Sequence, residues 1–378
     1  MVIRVKYKSV QSVVEKDMLG SFFSVLPLLV CLFWFVAFAR KYRESDAAKR
    51  VLTIFFGVCS VLELCHVMLY NVFEDRVLPV PLESLWVACS LSVYPIYYIY
   101  ICRLTAHFVS ARKTALILAP GFLVAIGFLL WPGFTTNLVR LVVNIVQVAC
   151  VVFFGFRHLR TFDHKLAELY AETEDKDMRP IRNLLIAFIL TSLNTIVLNI
   201  LGRESVITSE WLILLALDPI AVLLFVLGYI GYRRSFRVEQ FLADNPEEPL
   251  PEAPAENSEL GAKIEHLMVT EAYYLRQNVT LTEVAREVGS CRTYVSNYIN
   301  QEMHCSFSDY VNRLRIEHAK MVILQHDRHG GDSKFSAIAL NVGFTSEQSF
   351  YRNFRKFTDM TPHAWLEEQR RKASQKKP

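Results

Sequence analysis

Ionisable and amide side chains stand inside long apolar runs of this chain, where water cannot solvate them. Glu63 and His66 lie one helical turn apart in one run, and Arg140, Asn144 and Gln147 share a face of another. Asn194 and Asn199 occupy a third, and Asp218 precedes Pro219 in a fourth. A charged group at the centre of a bilayer costs on the order of 3 kcal/mol or more. Such groups therefore pair with one another or mark a place where a ligand arrives. Two readings stand. In one, Arg140 pairs with Asp218 or Glu63 to hold helices together, and the amides hydrogen-bond between helices. In the other, Glu63, His66, Arg140, Asn144, Asn199 and Asp218 form an input site for a small ligand or membrane signal.

Catalytic chemistry finds little footing. His266, His304, His318, His326, His329 and His363 are scattered, without carboxylate or cysteine partners at metal-ligand spacing, and no cofactor or metal is expected. Gly330-Gly331 reads as a loop tip, not a phosphate cradle. The eight cysteines show no paired C-x-x-C spacing, and six of them (Cys31, Cys59, Cys65, Cys89, Cys102 and Cys150) fall inside apolar runs. Neither a disulfide framework nor a zinc ribbon is indicated, and no enzyme is expected.

The elements that position these residues are set by hydropathy. Of the 378 residues, 52% are hydrophobic, and mean hydropathy is +0.25, which points away from a purely soluble protein. A membrane crossing takes about 20 mostly apolar residues. Seven stretches qualify, near Leu19 to Ala39, Val51 to Phe73, Glu83 to Cys102, Thr114 to Trp131, Asn137 to Phe156, Asn183 to Leu201 and Trp211 to Tyr232. The first is too long for a signal-peptide core, and Arg40, Lys41 and Arg43 follow it without a cleavage pattern. Short loops rich in Lys and Arg stay cytoplasmic. One set of alternate connections carries seventeen basic residues and the other, with the N-terminal tail, six. The N-terminus is thus expected outside and everything after Arg233 in the cytoplasm. In that topology His66, Arg140, Asn199 and Asp218 fall in the outer half of the bilayer, with Glu63 near its midplane.

Between Asp244 and Asn257 the chain reads DNPEEPLPEAPAEN. Prolines alternating with carboxylates predict an extended spacer, reaching about 40 Å at polyproline rise. Beyond it the pattern becomes helical and soluble. Leu281, Val284, Ala285 and Val288 form an apolar face, Thr280 or Thr282 is a candidate N-cap with Glu283 nearby, and Gly289 stops the helix. Ala285, Gly289 and Val295 have the spacing of a helix-turn-helix: a small residue for close approach, a glycine for the turn, a branched anchor on the second helix. Ile338, Ala339, Gly343, Phe344 and Phe350 repeat it with one extra residue in the turn. Between the two, Phe307, Val311, Leu314 and Val322 fall on one stripe and predict a connecting helix over Phe307 to Leu324.

Over roughly Ile264 to Trp365 the sequence resembles the DNA-binding domain of the AraC/XylS family of bacterial transcription regulators. Ile338-Ala339, Val342-Gly343-Phe344, Ser349-Phe350, Arg352, Phe354, Lys356 and Thr361-Pro362 stand in the order of that family's pattern. Phe307, Tyr310, Arg313-Leu314-Arg315 and Ala319 match its linker helix. Three positions depart from it and bear on local turn geometry: Asp359 stands where a glycine is usual, Ser290-Cys291 opens the first turn, and Leu366 replaces a frequent arginine. The resemblance implies that each half inserts one recognition helix into the major groove, about 34 Å from the other. It places Thr293, Ser296, Asn297 and Asn300 against bases from the first helix, and Gln348, Ser349 and Arg352 from the second. Hydrogen-bond chemistry agrees for Arg352, which matches guanine O6 and N7, and for Asn297 or Gln348, which match adenine. Arg292, Arg355 and Lys356 suit phosphate contacts, which position without specifying.

The expected architecture is all-α: a seven-helix transmembrane bundle in residues 1–237, an acidic Pro-rich linker in 238–258, and a domain of two helix-turn-helix units joined by a linker helix in 259–378. The expected role is a one-component sensor at the bacterial cytoplasmic membrane that regulates transcription. Its expected partners are double-stranded promoter DNA, the lipid bilayer, RNA polymerase, a small ligand and a second copy of the chain in a homodimer. A transporter or channel with an appended regulatory DNA-binding domain is the alternative, and inverted repeats or paired broken helices would favour it.

Overall fold

The computed structural model describes residues 25–72, 78–131, 136–172, 178–201, 210–233, 241, 257–328 and 335–375. Among them the chain is helical, with one isolated antiparallel bridge between Tyr170 and Thr280. It divides into two compact units. The first comprises residues up to Arg160 and Met178–Val238, and the second Thr161–Asp177 and Glu239–Pro378.

The first unit contains α1 (Val25–Ala39), α2 (Ala47–Asn71), α3 (Val80–Leu104), α4 (Ala111–Leu130), most of α5 (Thr136–Leu169), α6 (Arg179–Leu201) and α7 (Glu210–Arg233). Two of its helices begin at ordinary polar caps: the Asp46 carboxylate accepts the Lys49 amide and the Ser110 hydroxyl accepts that of Lys113. Leu52, Phe55 and Phe56 on α2 and Tyr97 and Tyr100 on α3 are buried, the Phe55 and Tyr97 rings meet at 6.3 Å, and the Trp34 and Phe38 rings of α1 stack. Gly228 of α7 meets Trp34 so closely that an added Cβ would lie 2.4 Å from the indole. The outward faces are apolar as well: Phe33, Leu116, Leu123, Leu130, Phe153 and Leu190 are exposed. Helices apolar on both faces are compatible with a hydrocarbon surrounding.

Four helices among the described residues are long and apolar enough to cross a membrane: Ala47–Leu69, Val80–Leu104, Ala111–Leu130 and Leu138–Leu169. This corrects the expected seven. Val25–Ala39 and Pro219–Arg233 are shorter apolar helices, and α6 opens on Arg179 and Arg182 with several side chains near its end outside the described residues. The Pro-rich stretch 244–256 also lies outside them.

The second unit holds α8 (Asn257–Glu265), a short turn at Tyr273–Leu275, α9 (Leu281–Glu287), α10 (Arg292–Glu302), α11 (Phe307–Arg328), α12 (Phe335–Asn341), α13 (Glu347–Thr358) and α14 (Pro362–Gln375). Its second half closes on Ile316, Ala319, Ile323, Ile338, Ala339, Val342, Phe344, Phe350, Phe354 and Leu366. The connecting helix is longer than expected and rotated. Leu314 and Val322 are half-buried, while Phe307, Val311, Arg315, Ile316, Ala319 and Ile323 face inward.

The unit also takes in the last turns of α5 and the residues after it, which a reading along the chain leaves with the membrane domain. Phe162, Leu166, Leu169, Tyr170 and Ala171 are buried, and the Phe162 ring lies 5.0 Å from that of Phe241.

Candidate nucleic-acid interface

The first helix-turn-helix is built by local rules. The Thr280 hydroxyl accepts the Glu283 amide at 3.2 Å and the Glu283 carboxylate accepts the Thr280 amide at 3.0 Å, a reciprocal cap that fixes where α9 starts. Val284 and Ala285 are buried, and Gly289 turns the chain at φ 67°, a left-handed conformation glycine adopts without strain. Helix α10 then buries Val295 and Ile299. Residues three and four apart on the other face stay in solvent: Thr293 and Asn297 are exposed, and Arg292, Ser296 and Asn300 are half-buried. The Asn300 amide donates to the Ser296 hydroxyl at 3.3 Å, so these two form one polar group.

The second unit repeats the plan. Gly343 turns at φ 95°, and a Cβ there would stand 2.7 Å from the Leu275 carbonyl oxygen. Ser346 caps α13, its hydroxyl accepting the Ser349 amide at 3.1 Å. Helix α13 is strongly two-faced, with Phe350, Asn353 and Phe354 inward and Gln348 and Arg355 exposed. Arg352 is half-buried on the outer side. Ser349 is a correction: it is 1% exposed, so its hydroxyl has no path to a base edge. The cap at Ser346 starts α13 in a register that puts Ser349 beside Phe350 on the inner face. Lys356 is exposed but not idle, since its Nζ lies 2.5 Å from Asp309 Oδ1. The helix ends at Asp359, which takes the left-handed conformation at φ 57° where the resembled family has glycine.

A group that the sequence reading missed holds the two units to the connecting helix. Arg315, fully buried on α11, donates through Nη1 to Glu172 Oε1 at 2.9 Å, through Nε to the Tyr274 carbonyl at 2.8 Å and through Nη2 to the Arg276 carbonyl at 2.7 Å. Burial lowers the Arg315 guanidinium from its ordinary value, and Glu172 opposes that shift. Glu172 also accepts the Thr345 amide at 3.0 Å and the Thr345 hydroxyl. The Ala171 carbonyl accepts the Ser308 hydroxyl and the Asn312 amide, both at 2.8 Å. The Ala171 amide donates to the Val279 carbonyl at 3.0 Å.

In the first compact unit, four of the six residues expected to form an input site come together. Glu63, His66, Arg140 and Asn144 line one cavity of about 210 Å³ with Trp86 and Tyr94. Trp86 Nε1 can only donate, and it lies 2.9 Å from His66 Nε2. That nitrogen therefore accepts, which places the proton on Nδ1, 3.0 Å from Glu63 Oε2. The Arg140 guanidinium lies over the Trp86 ring at 4.6 Å. The side chains of Asn199 and Asp218 lie outside the described residues.

Residues 284–368 match the family model described as a helix-turn-helix domain. The C-terminal part of the chain is therefore a helix-turn-helix domain, of the class that the two repeated turns define. Over 89 residues it is 33% identical to an uncharacterized HTH-type transcriptional regulator of Staphylococcus aureus strain MSSA476, covering 24% of this chain and 11% of that protein. Over 118 residues it is 29% identical to the uncharacterized HTH-type transcriptional regulator YtdP of Bacillus subtilis strain 168, covering 31% of this chain and 14% of that protein. The match thus spans only about a ninth to a seventh of these relatives' length. No solved structure matches.

Proposed function

We propose that this chain is a membrane-anchored, sequence-specific transcription regulator that binds promoter DNA from the cytoplasmic face. The observation that carries the reading is a pair of helix-turn-helix units joined by α11, each with a polar outer stripe on its second helix. Thr293, Ser296, Asn297 and Asn300 on α10, and Gln348 and Arg352 on α13, would read base edges. Arg292, Arg355 and Lys356 would hold phosphates.

Membrane anchoring draws on four apolar helices with greasy outer faces. Placing the N-terminus outside requires an odd number of crossings before Arg233, so besides the four long apolar helices an odd number of α1, α6 and α7 must also cross. The end of α5 belongs to the same compact unit as the helix-turn-helix pair, and in this reading both lie on the DNA side of the bilayer. That agrees with the basic residues of this connection.

The cavity holding Glu63, His66, Arg140 and Asn144 is the proposed signal input, since it gathers polar groups that hydrocarbon would exclude. Arg140→Ala is expected to change reporter output at unchanged membrane level. The regulator reading is tested by selecting duplexes from a random pool with the full chain in lipid nanodiscs. Enrichment of a site with two half-sites about one helical turn apart is expected. A pool that stays random after repeated selection removes the reading.

A further inference from the structure

A buried carboxylate from the connection between α5 and α6 sits where the two helix-turn-helix units meet the helix between them. Glu172 is 143 residues from Arg315 and 173 from Thr345 in sequence, yet it bonds both. The adjacent Ala171 bonds Val279 just before the first unit, and Ser308 and Asn312 on α11. Tyr170 forms the bridge to Thr280, the residue that caps α9. Three consecutive residues therefore touch the start of the first helix-turn-helix, the connecting helix and the turn of the second.

We propose that residues 170–172 form a strap completing the DNA-reading domain. The strap fixes the mutual placement of α10 and α13 and ties both directly to the end of α5. Arg315 is fully buried, and a buried guanidinium needs an anion. Among the described residues the carboxylate that meets it is Glu172, which lies in no helix-turn-helix. Glu172 then turns its oxygens to Thr345, immediately after Gly343-Phe344, so that one carboxylate couples α11 to the second turn. The Phe344 ring lies against the same guanidinium, 5.3 Å from Arg315 Cζ. Upstream, Phe162, Leu166 and Leu169 bury the last turns of α5 within the same unit.

The functional consequence concerns the route of a signal. Two recognition helices read one duplex only when their separation fits the half-site spacing. A shift or rotation of α5 is carried by a continuous helix to Leu169 and by the strap into the start of the first helix-turn-helix and the turn of the second. The Pro-rich stretch, by contrast, needs only to be long enough. Coupling through the strap is reciprocal, so DNA binding must in turn stabilise the docked strap.

The inference rests on the DNA-binding reading, and the experiment separates the two. Full-length protein in nanodiscs is followed by amide hydrogen exchange with and without the selected duplex. Protection of residues 161–172 comparable to α11, increased by duplex, is expected. Glu172→Gln is expected to weaken duplex binding about tenfold, equivalent to about 1.4 kcal/mol, and to shorten the footprint to one half-site. Thr345→Val keeps the ion pair and is expected to give a smaller loss in the same direction. Should Glu172→Gln fail to accumulate, Thr345→Val and the exchange of the parent protein decide. Inserting six Gly and Ser residues after Pro251 is expected to leave binding unchanged. If residues 161–172 exchange as fast as an open chain while α9 to α13 are protected, the strap is overturned even where no duplex is selected. Parent affinity and footprint in both variants would overturn it equally.

Discussion

Lys356 Nζ and Asp309 Oδ1 are 2.5 Å apart, joining the end of α13 to the first turn of α11. Lys356 therefore reaches a phosphate only by leaving an acid that also repels the backbone. An exposed pair of this kind contributes about 0.2–1 kcal/mol. Asp309→Asn is expected to raise affinity for random duplex several-fold and to make the logarithmic salt dependence steeper by about 0.9, as one more phosphate contact should. Filter-binding titrations over a salt series measure both. Identical slopes in parent and variant would show that Lys356 does not touch the backbone.

Arg352 and Lys356 occupy the same helix but should fail differently. Arg352→Ala is expected to cost about 1–3 kcal/mol at one base position, whereas Lys356→Ala, made in the Asp309→Asn background where the ammonium is released, weakens all duplexes alike and flattens the salt dependence. Competition with single-base variants of the selected site makes the comparison. Equal losses on selected and random DNA for Arg352→Ala would end its assignment to a base.

Topology carries its own expectation. Alkaline phosphatase fused after Leu78 or Thr135 should be active, and fused after Ala111 or Lys165 inactive, because the basic residues cluster on the connections of the second group. Activity after Lys165 would put the strap on the wrong side for DNA.

Asp359 holds a left-handed backbone at φ 57° at the end of α13, with its amide donating to the Arg355 carbonyl at 2.9 Å. A side chain is strained there and glycine is not. Asp359→Gly is expected to stabilise the helix-turn-helix domain by about 0.5–1 kcal/mol, the relief of left-handed strain less the entropy glycine adds to the unfolded chain, read as slower amide exchange in α13. Faster exchange would mean that the aspartate side chain does more than cap.

What the sequence made legible follows the range of the interactions. The cap formed by Thr280 and Glu283 spans three residues, and the turns at Gly289 and Gly343 need a conformation that favours glycine. All could be read from spacing. The gathering of Glu63, His66, Arg140 and Asn144 was half legible, since polar groups set in long apolar runs need partners, while which of them would meet had no local signal. Ser349 was misplaced because the register of α13 depends on which serine caps it. The role of Glu172 had no local signal: it lies in a connection rich in mixed charges, and its partners are more than a hundred residues away. The Arg315 position was noted only as part of a helix pattern, with nothing to show that a guanidinium fully removed from water needed a distant acid.

The connection of Ala171 and Glu172 to Val279, Arg315 and Thr345 also changes what cutting the chain can achieve. Proteolysis within the Pro-rich stretch would sever the only covalent path from α7 to the helix-turn-helix pair, yet the fragment would still grip the end of α5. Liberating it as a diffusible factor would require stripping a carboxylate from a buried guanidinium, which leaves an unpaired charge behind. A clipped regulator of this design would stay at the membrane as a nicked complex, and its soluble fragment expressed alone would start life lacking one of its own core residues.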